Sequence, residues 1–161
     1  PEALELSRGL LKSGYKTYVI DDAELKRVRD SYPLMWKNPA ARPKVCFIGC
    51  PHLSLRQIYE WLEHFETELK SSGKKKLAVT TIMTAAPAVA DAFRNDKVSY
   101  SRLTGIGARL TSICPLMYMN NPLCAKKAVM TNSNKLRTYT TARYFTDAET
   151  ARIAVEGGIY G

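Results

Sequence analysis

Four apolar runs of strand length constrain the fold most: "KVCFIG" at 44–49, "KKLAVTTIM" at 75–83, "ARLTSIC" at 108–114 and "KAVMT" at 127–131. Runs of this kind read as strands buried on both faces. Helical patterns separate them. Ser54 and Gln57 form a capping box for a long helix with Leu55, Ile58, Tyr59, Leu62, Phe65 and Leu69 on its apolar stripe, ending near Ser72-Gly73. "TAAPAVADAFRND" predicts a helix started by Thr84 with Pro87 in its first turn, and Thr146 with Glu149 caps a closing helix, "DAETARIAVEG". Ahead of the first run, "KTYVI" at 16–20 reads as a short strand, Asp21 with Glu24 starts a helix to about Ser31, and Tyr32 to Pro43, with three prolines, is a loop. Strands alternating with helices imply a parallel sheet with right-handed crossovers. The expectation is one three-layer α/β domain over 1–161, with a mainly parallel four- to five-stranded sheet and helices on both faces.

At 161 residues, 45% hydrophobic and 24% charged, the chain has the composition of a globular domain that needs no disulfides, and no apolar run reaches the roughly 20 residues of a membrane helix. No leader-like segment opens it, so a cytoplasmic protein is expected. The sequence begins at Pro1 and runs out in "EGGIYG", and a fragment of a longer chain is expected. The net charge of +9 suits an anionic partner or a solvated basic surface. Lys74-Lys75-Lys76, before the second run, reads as a solubilising gatekeeper. Nucleic acid is disfavoured, because no RNA-binding aromatic motif or zinc-finger spacing accompanies the charge.

Open parallel sheets bind ligands outside the carboxyl ends of their strands, and the unusual turns fall there: "GCPH", "TTIMTAAP", "CPLMYMN" and "TNSNK". Cys46, mid-run, reads as a core thiol. Cys50 and Cys114 each end a run and each precede a proline, which stiffens the turn that presents the thiol. Three readings stay open for these thiols: buried structural groups, metal or iron–sulfur ligands, or a Cys50–His52 nucleophile and base, which i to i+2 neighbours rarely align. His52 has the surface hydrogen bond as its plainer role, and His64, among charged residues of the long helix, reads as structural or solvated. Thr131, Asn132, Ser133, Asn134 and Lys135 place hydroxyls, amides and an ammonium in one turn, suited to a carboxylate or phosphate, or to a plain helix cap. Arg137 and Arg143 are either anion contacts or surface charge.

Two segments in order, "IGCPHLSLRQI" at 48–58 and "MTNSNKLRTY" at 130–139, resemble the Gly-Cys-Pro-His-x-Ser and Met-Thr-Asn-Ser-x-Lys-x-x-x-Tyr signatures of the aconitase X family. The run ending in Cys114 resembles that family's Asp-Thr-Cys segment, and "DAETARIAVEGG" the helix after its lysine motif. The resemblance extends from about residue 16 to the end. It implies an aconitase-like fold and a hydro-lyase that dehydrates a small hydroxy acid, 5-phosphomevalonate-like or cis-3-hydroxyproline-like, at an iron–sulfur cluster or iron. In that chemistry the metal holds the substrate hydroxyl as a Lewis acid while a base removes a proton from the neighbouring carbon.

Carried over by motif, Cys50 and Cys114 are metal ligands, with the third either Cys124 or, preferably, a residue outside this chain. His52 lies in the active-site turn. His52, Ser133 and Lys135 are the catalytic candidates, and Thr131, Asn132, Ser133, Lys135 and Arg137 the substrate-binding ones. The chain departs from the pattern at Ser112-Ile113, in place of Asp-Thr, at Asn134, often Gly, and at Arg137-Thr138, in place of a small residue and His. These departures put substrate and activity in question. The family's large chain is longer, and a small swivelling domain or subunit completes its site. The expected partners are therefore that remainder and a small hydroxy acid, and the fragment alone is expected to be inactive. The alternative is a non-catalytic basic α/β module that binds an anionic partner; a Cys-dependent hydrolase is a third, weaker option.

Overall fold

In the computed structural model, which describes residue 9 and residues 13–159, the apolar runs pair into one five-stranded sheet in which every pairing is parallel. The described residues fall into two units, divided between Pro33 and Leu34. In the first, helix α1 (Asp22–Ser31) starts as expected, with the Asp21 carboxylate accepting the Glu24 N–H at 2.8 Å. The strand expected at 16–20 does not form, and Lys16 to Ile20 are exposed coil.

The second unit holds β1 (Val45–Leu53), α2 (Leu55–Ser72), β2 (Thr80–Ala85), α3 (Pro87–Asn95), α4 (Lys97–Gly105), β3 (Ala108–Thr111), α5 (Pro115–Met119), α6 (Pro122–Ala125), β4 (Val129–Thr131), α7 (Asn134–Tyr139), β5 (Arg143–Tyr144) and α8 (Asp147–Glu156). The sheet order is β3-β2-β1-β4-β5. Strand direction of growth therefore reverses between β1 and β4, the switch point at which sheets of this kind open a crevice.

The doubly apolar strands follow from the two layers they separate. Cys46 and Ile48 face a core built with Ile58, Leu62 and Phe65 of α2, Phe93 of α3, Leu103 of α4 and Ile153 of α8. Val45 and Phe47, one residue out of phase, face a smaller cluster with Met119 of α5, Val129 and Leu136 of α7. α2 begins with the expected capping box and ends on Gly73 in the left-handed conformation. α8 packs along α2, and its Ala154 carbonyl accepts the Ala78 and Val79 N–H groups, which fixes the approach to β2. Lys74 is tied in as well: its ammonium donates to the Val155 and Glu156 carbonyls at the end of α8. Several boundaries differ from the sequence reading. Thr84 does not start a helix but lies buried inside β2, because Pro87 occupies the first helical position. Against the runs at 75–83, 108–114 and 127–131, β2 starts at Thr80 and continues to Ala85, β3 stops at Thr111 and β4 starts at Val129.

Candidate functional site

The site is assembled at the carboxyl ends of β1 and β4, on either side of the switch point. Ile48 pairs with Met83 and Leu53 with Ala85, so the four residues Gly49 to His52 stand opposite Thr84 alone. "GCPH" is thus a wide irregularity within β1, with a cis Cys50–Pro51 peptide bond, rather than a terminating turn. Gly49 has φ +103, and a Cβ there would meet the Thr84 carbonyl and lie 2.8 Å from its hydroxyl. The buried Thr84 hydroxyl donates to the Gly49 carbonyl and, at 3.4 Å, to that of Ile48. Thr84, which sequence reasoning assigned to a helix start, therefore holds the motif's entry in place.

The exit is held from the other strand. The Ser133 hydroxyl donates to the Cys50 carbonyl and accepts the Leu136 N–H at 2.9 Å, so one buried oxygen both caps α7 and fastens the two motif segments together. Thr131, fully buried, accepts the Ser133 N–H at 3.1 Å. Asn132 donates to Asp147 at 2.9 Å, linking this turn to the first turn of α8. The sequence-predicted residues then divide. The Cys50 thiol is buried in the smaller apolar cluster, while Pro51 and His52 are exposed. Lys135 is exposed. Arg137 donates to Asn134 at 2.7 Å and lies 4.7 Å from the Tyr144 ring centroid.

Cys114 is half-buried at the N-cap of α5, a helix that packs on β1 and α7. Cys124, on α6, is buried against Tyr118, whose hydroxyl is pushed above its usual range by that thiol and by burial. Cys46 is the core thiol expected, fully buried, and burial pushes its ionisation far up. Arg143 belongs to neither turn. It starts β5, donates to the Pro39 carbonyl at 2.8 Å and stacks over Trp36 and Phe145, and burial lowers its affinity for a proton. His64 is exposed beside Trp61.

Residues 43–154, more than half of the sequence, match the family model described as aconitase X third domain. The chain belongs to the aconitase X family. A solved structure with the same fold is that of Thermococcus kodakaraensis aconitase X in its holo-form, at TM-score 0.70 and 21% sequence identity. The match covers 91% of this chain and 36% of that one, so this chain spans little more than a third of the relative. A comparison with curated protein sequences gives no significant match.

The iron centre implied by the resemblance can be tested against the donors this aconitase X domain presents. Among the described residues no three His, Cys, Asp or Glu side chains stand together where they could hold a metal ion. Cys50 is buried in the smaller apolar cluster, Cys114 is half-buried at the start of α5, and Cys124 is engaged with Tyr118. The described residues do not by themselves make a complete cluster site. Of the residues that shape this site, Thr84 and Asp147 went unnoticed in the sequence. Pro87 was the available signal for the first, since proline at the first helical position moves the helix start beyond Thr84; nothing local marks the Asn132–Asp147 pair.

Proposed function

We propose that this chain is the C-terminal part of the catalytic region of an aconitase X-type hydro-lyase. The hydrogen bond from Ser133 to the Cys50 carbonyl carries the reading, because it joins the two motif segments at the switch point where such sheets bind ligands. In this reading Cys50 and Cys114 are this chain's share of an iron–sulfur or iron site, and the longer protein supplies the rest, together with a small swivelling domain or subunit. Thr131, Ser133 and Thr84 hold the two turns in register. His52 and Lys135, both exposed at the rim, are the groups available to move a proton or hold an anionic oxygen, with Asn132 and Arg137 beside them. The substrate is a small hydroxy acid, with a phosphorylated one such as 5-phosphomevalonate favoured over cis-3-hydroxyproline by the positive charge of the chain.

The test uses the full-length protein purified without oxygen. Iron and sulfide should be stoichiometric, fall in Cys50→Ala and Cys114→Ala, and persist in Cys46→Ala. One of the two hydroxy acids should be dehydrated. Iron retained in both site variants would overturn Cys50 and Cys114 as ligands, and an iron-free protein that binds nucleic acid with a steep salt dependence would instead support the non-catalytic module.

A further inference from the structure

We infer that this domain carries a second anion site, at the amino-terminal end of the sheet, for a small organic phosphate. A cavity of about 610 Å³ opens there. One wall is the 35–44 loop; the other is the segment that leads into β4, with Thr141 ahead of β5. Lys37, Arg42, Lys44, Lys126 and Lys127 line it, and no acidic residue does. None of these five forms an ion pair with a described residue. Some cations elsewhere are matched, as Arg94 is with Asp91 and Arg102 with Glu66, but here five unmatched ones share one hollow. Five unmatched positive charges around one hollow raise the local potential and favour an anion of more than one charge.

The walls are built rather than loose. Lys44 N–H donates to the Ala128 carbonyl at 2.8 Å, Ala41 N–H to that of Asn38 at 3.1 Å, and Thr141 to that of Ala125 at 3.2 Å. Arg143 pins Pro39 from below. Met35, Ala41, Ala125 and Ala128 give the hollow apolar lining, and Trp36, nine-tenths buried in the 35–44 wall, has an indole N–H without an acceptor among the described residues. A cavity of this size, with apolar and cationic side chains interleaved on both walls, fits a phosphate ester with an apolar body better than a bare ion. The site is separate from the one at the carboxyl ends: Ala128 and Asn132 bracket the three-residue β4, which puts about 13 Å of strand between them.

Phenyl phosphate, inorganic phosphate and hexaglutamate serve as probes, titrated calorimetrically into the complete polypeptide. Phenyl phosphate should bind saturably in the sub-millimolar range, about tenfold more tightly than inorganic phosphate. The double variant K126E/K127E, and separately K37E on the opposite wall, should weaken it about tenfold or more. K75E/K76E, in the other lysine cluster, should leave it within about twofold. Non-saturable binding, equal loss in K75E/K76E, or unaltered binding in both cavity variants would overturn the site. Tighter binding of hexaglutamate than of phenyl phosphate would overturn the ligand class. Reaction at the other end of the sheet is not needed for any of these readings.

Discussion

Gly49 and Ser133 are the residues on which the motif's geometry turns, and each can be tested alone. Gly49 combines a left-handed φ with contact against Thr84 on the Cβ side, whereas Gly107, at φ +95, has open space there. Gly107→Ala therefore costs only the backbone term, about 1–2 kcal/mol. Gly49→Ala adds overpacking, for a total of about 2–4 kcal/mol. Urea unfolding of the two variants side by side checks the difference; equal costs would mean that Thr84 gives way. Ser133→Ala removes a helix cap and leaves the Cys50 carbonyl without its donor, so it should cost about 2 kcal/mol. A loss of only a few tenths would show that the Cys50 and Ser133 segments are held together by other means.

At the scale of elements, the helix starts were the most legible part of the sequence. The Asp21, Ser54 and Thr146 caps all form, because a cap is satisfied by residues three apart and needs nothing from the rest of the chain. Strand limits were less legible. A buried apolar run marks where a strand is covered, but pairing decides where it ends: "GCPH", read as a terminating turn, stays within β1 because Leu53 recovers a partner in Ala85. Of the site, the two motif turns and their nearness were legible, and the partners that fix them were not, since Thr84 and Asp147 act across sequence distances without a local pattern. α4, also not anticipated, begins at Asp96, whose carboxylate accepts from Ser99 and from the Tyr59 hydroxyl of α2. The Ser99 bonds, above all, lower its pKa below the ordinary value. A depressed folded-state pKa stabilises above the unfolded carboxyl's range and is lost as pH falls through the folded one. Asp96→Asn should accordingly lower Tm at neutral pH by about 2–4 °C, with the gap to the parent closing below about pH 4. Melting curves across that range check it; a gap independent of pH would assign the effect to the cap geometry rather than to the charge.

For the whole molecule, the smaller apolar cluster decides how much of the site one chain can own. Cys50 lies on that side of the sheet with Met119, Leu136 and Ala142, and the exposed faces of α5, α6 and α7 nearby carry Met117, Leu123 and Tyr139, each more than two-thirds exposed. Among the described residues no three His, Cys, Asp or Glu side chains stand together where they could hold a metal ion. The related Thermococcus kodakaraensis chain is matched over only 36% of its length, so most of that chain has no counterpart in these 161 residues. A metal whose ligands are divided between two parts of a protein gains its binding energy only when both are present, since a half shell neither orders the donors nor excludes water. The 161-residue chain, reconstituted anaerobically with iron and sulfide, should therefore bind substoichiometric iron that a chelator removes within minutes, and dehydrate neither 5-phosphomevalonate nor cis-3-hydroxyproline. Its thermal unfolding should be the same with and without iron, because a half shell binds iron too weakly to add to the stability of the folded state. The full-length protein, treated identically, should hold its iron against the chelator and gain stability from it. A complete iron–sulfur spectrum with turnover from the short chain would place the whole ligand set within it, and Cys124→Ala would then be the variant that identifies the third thiol.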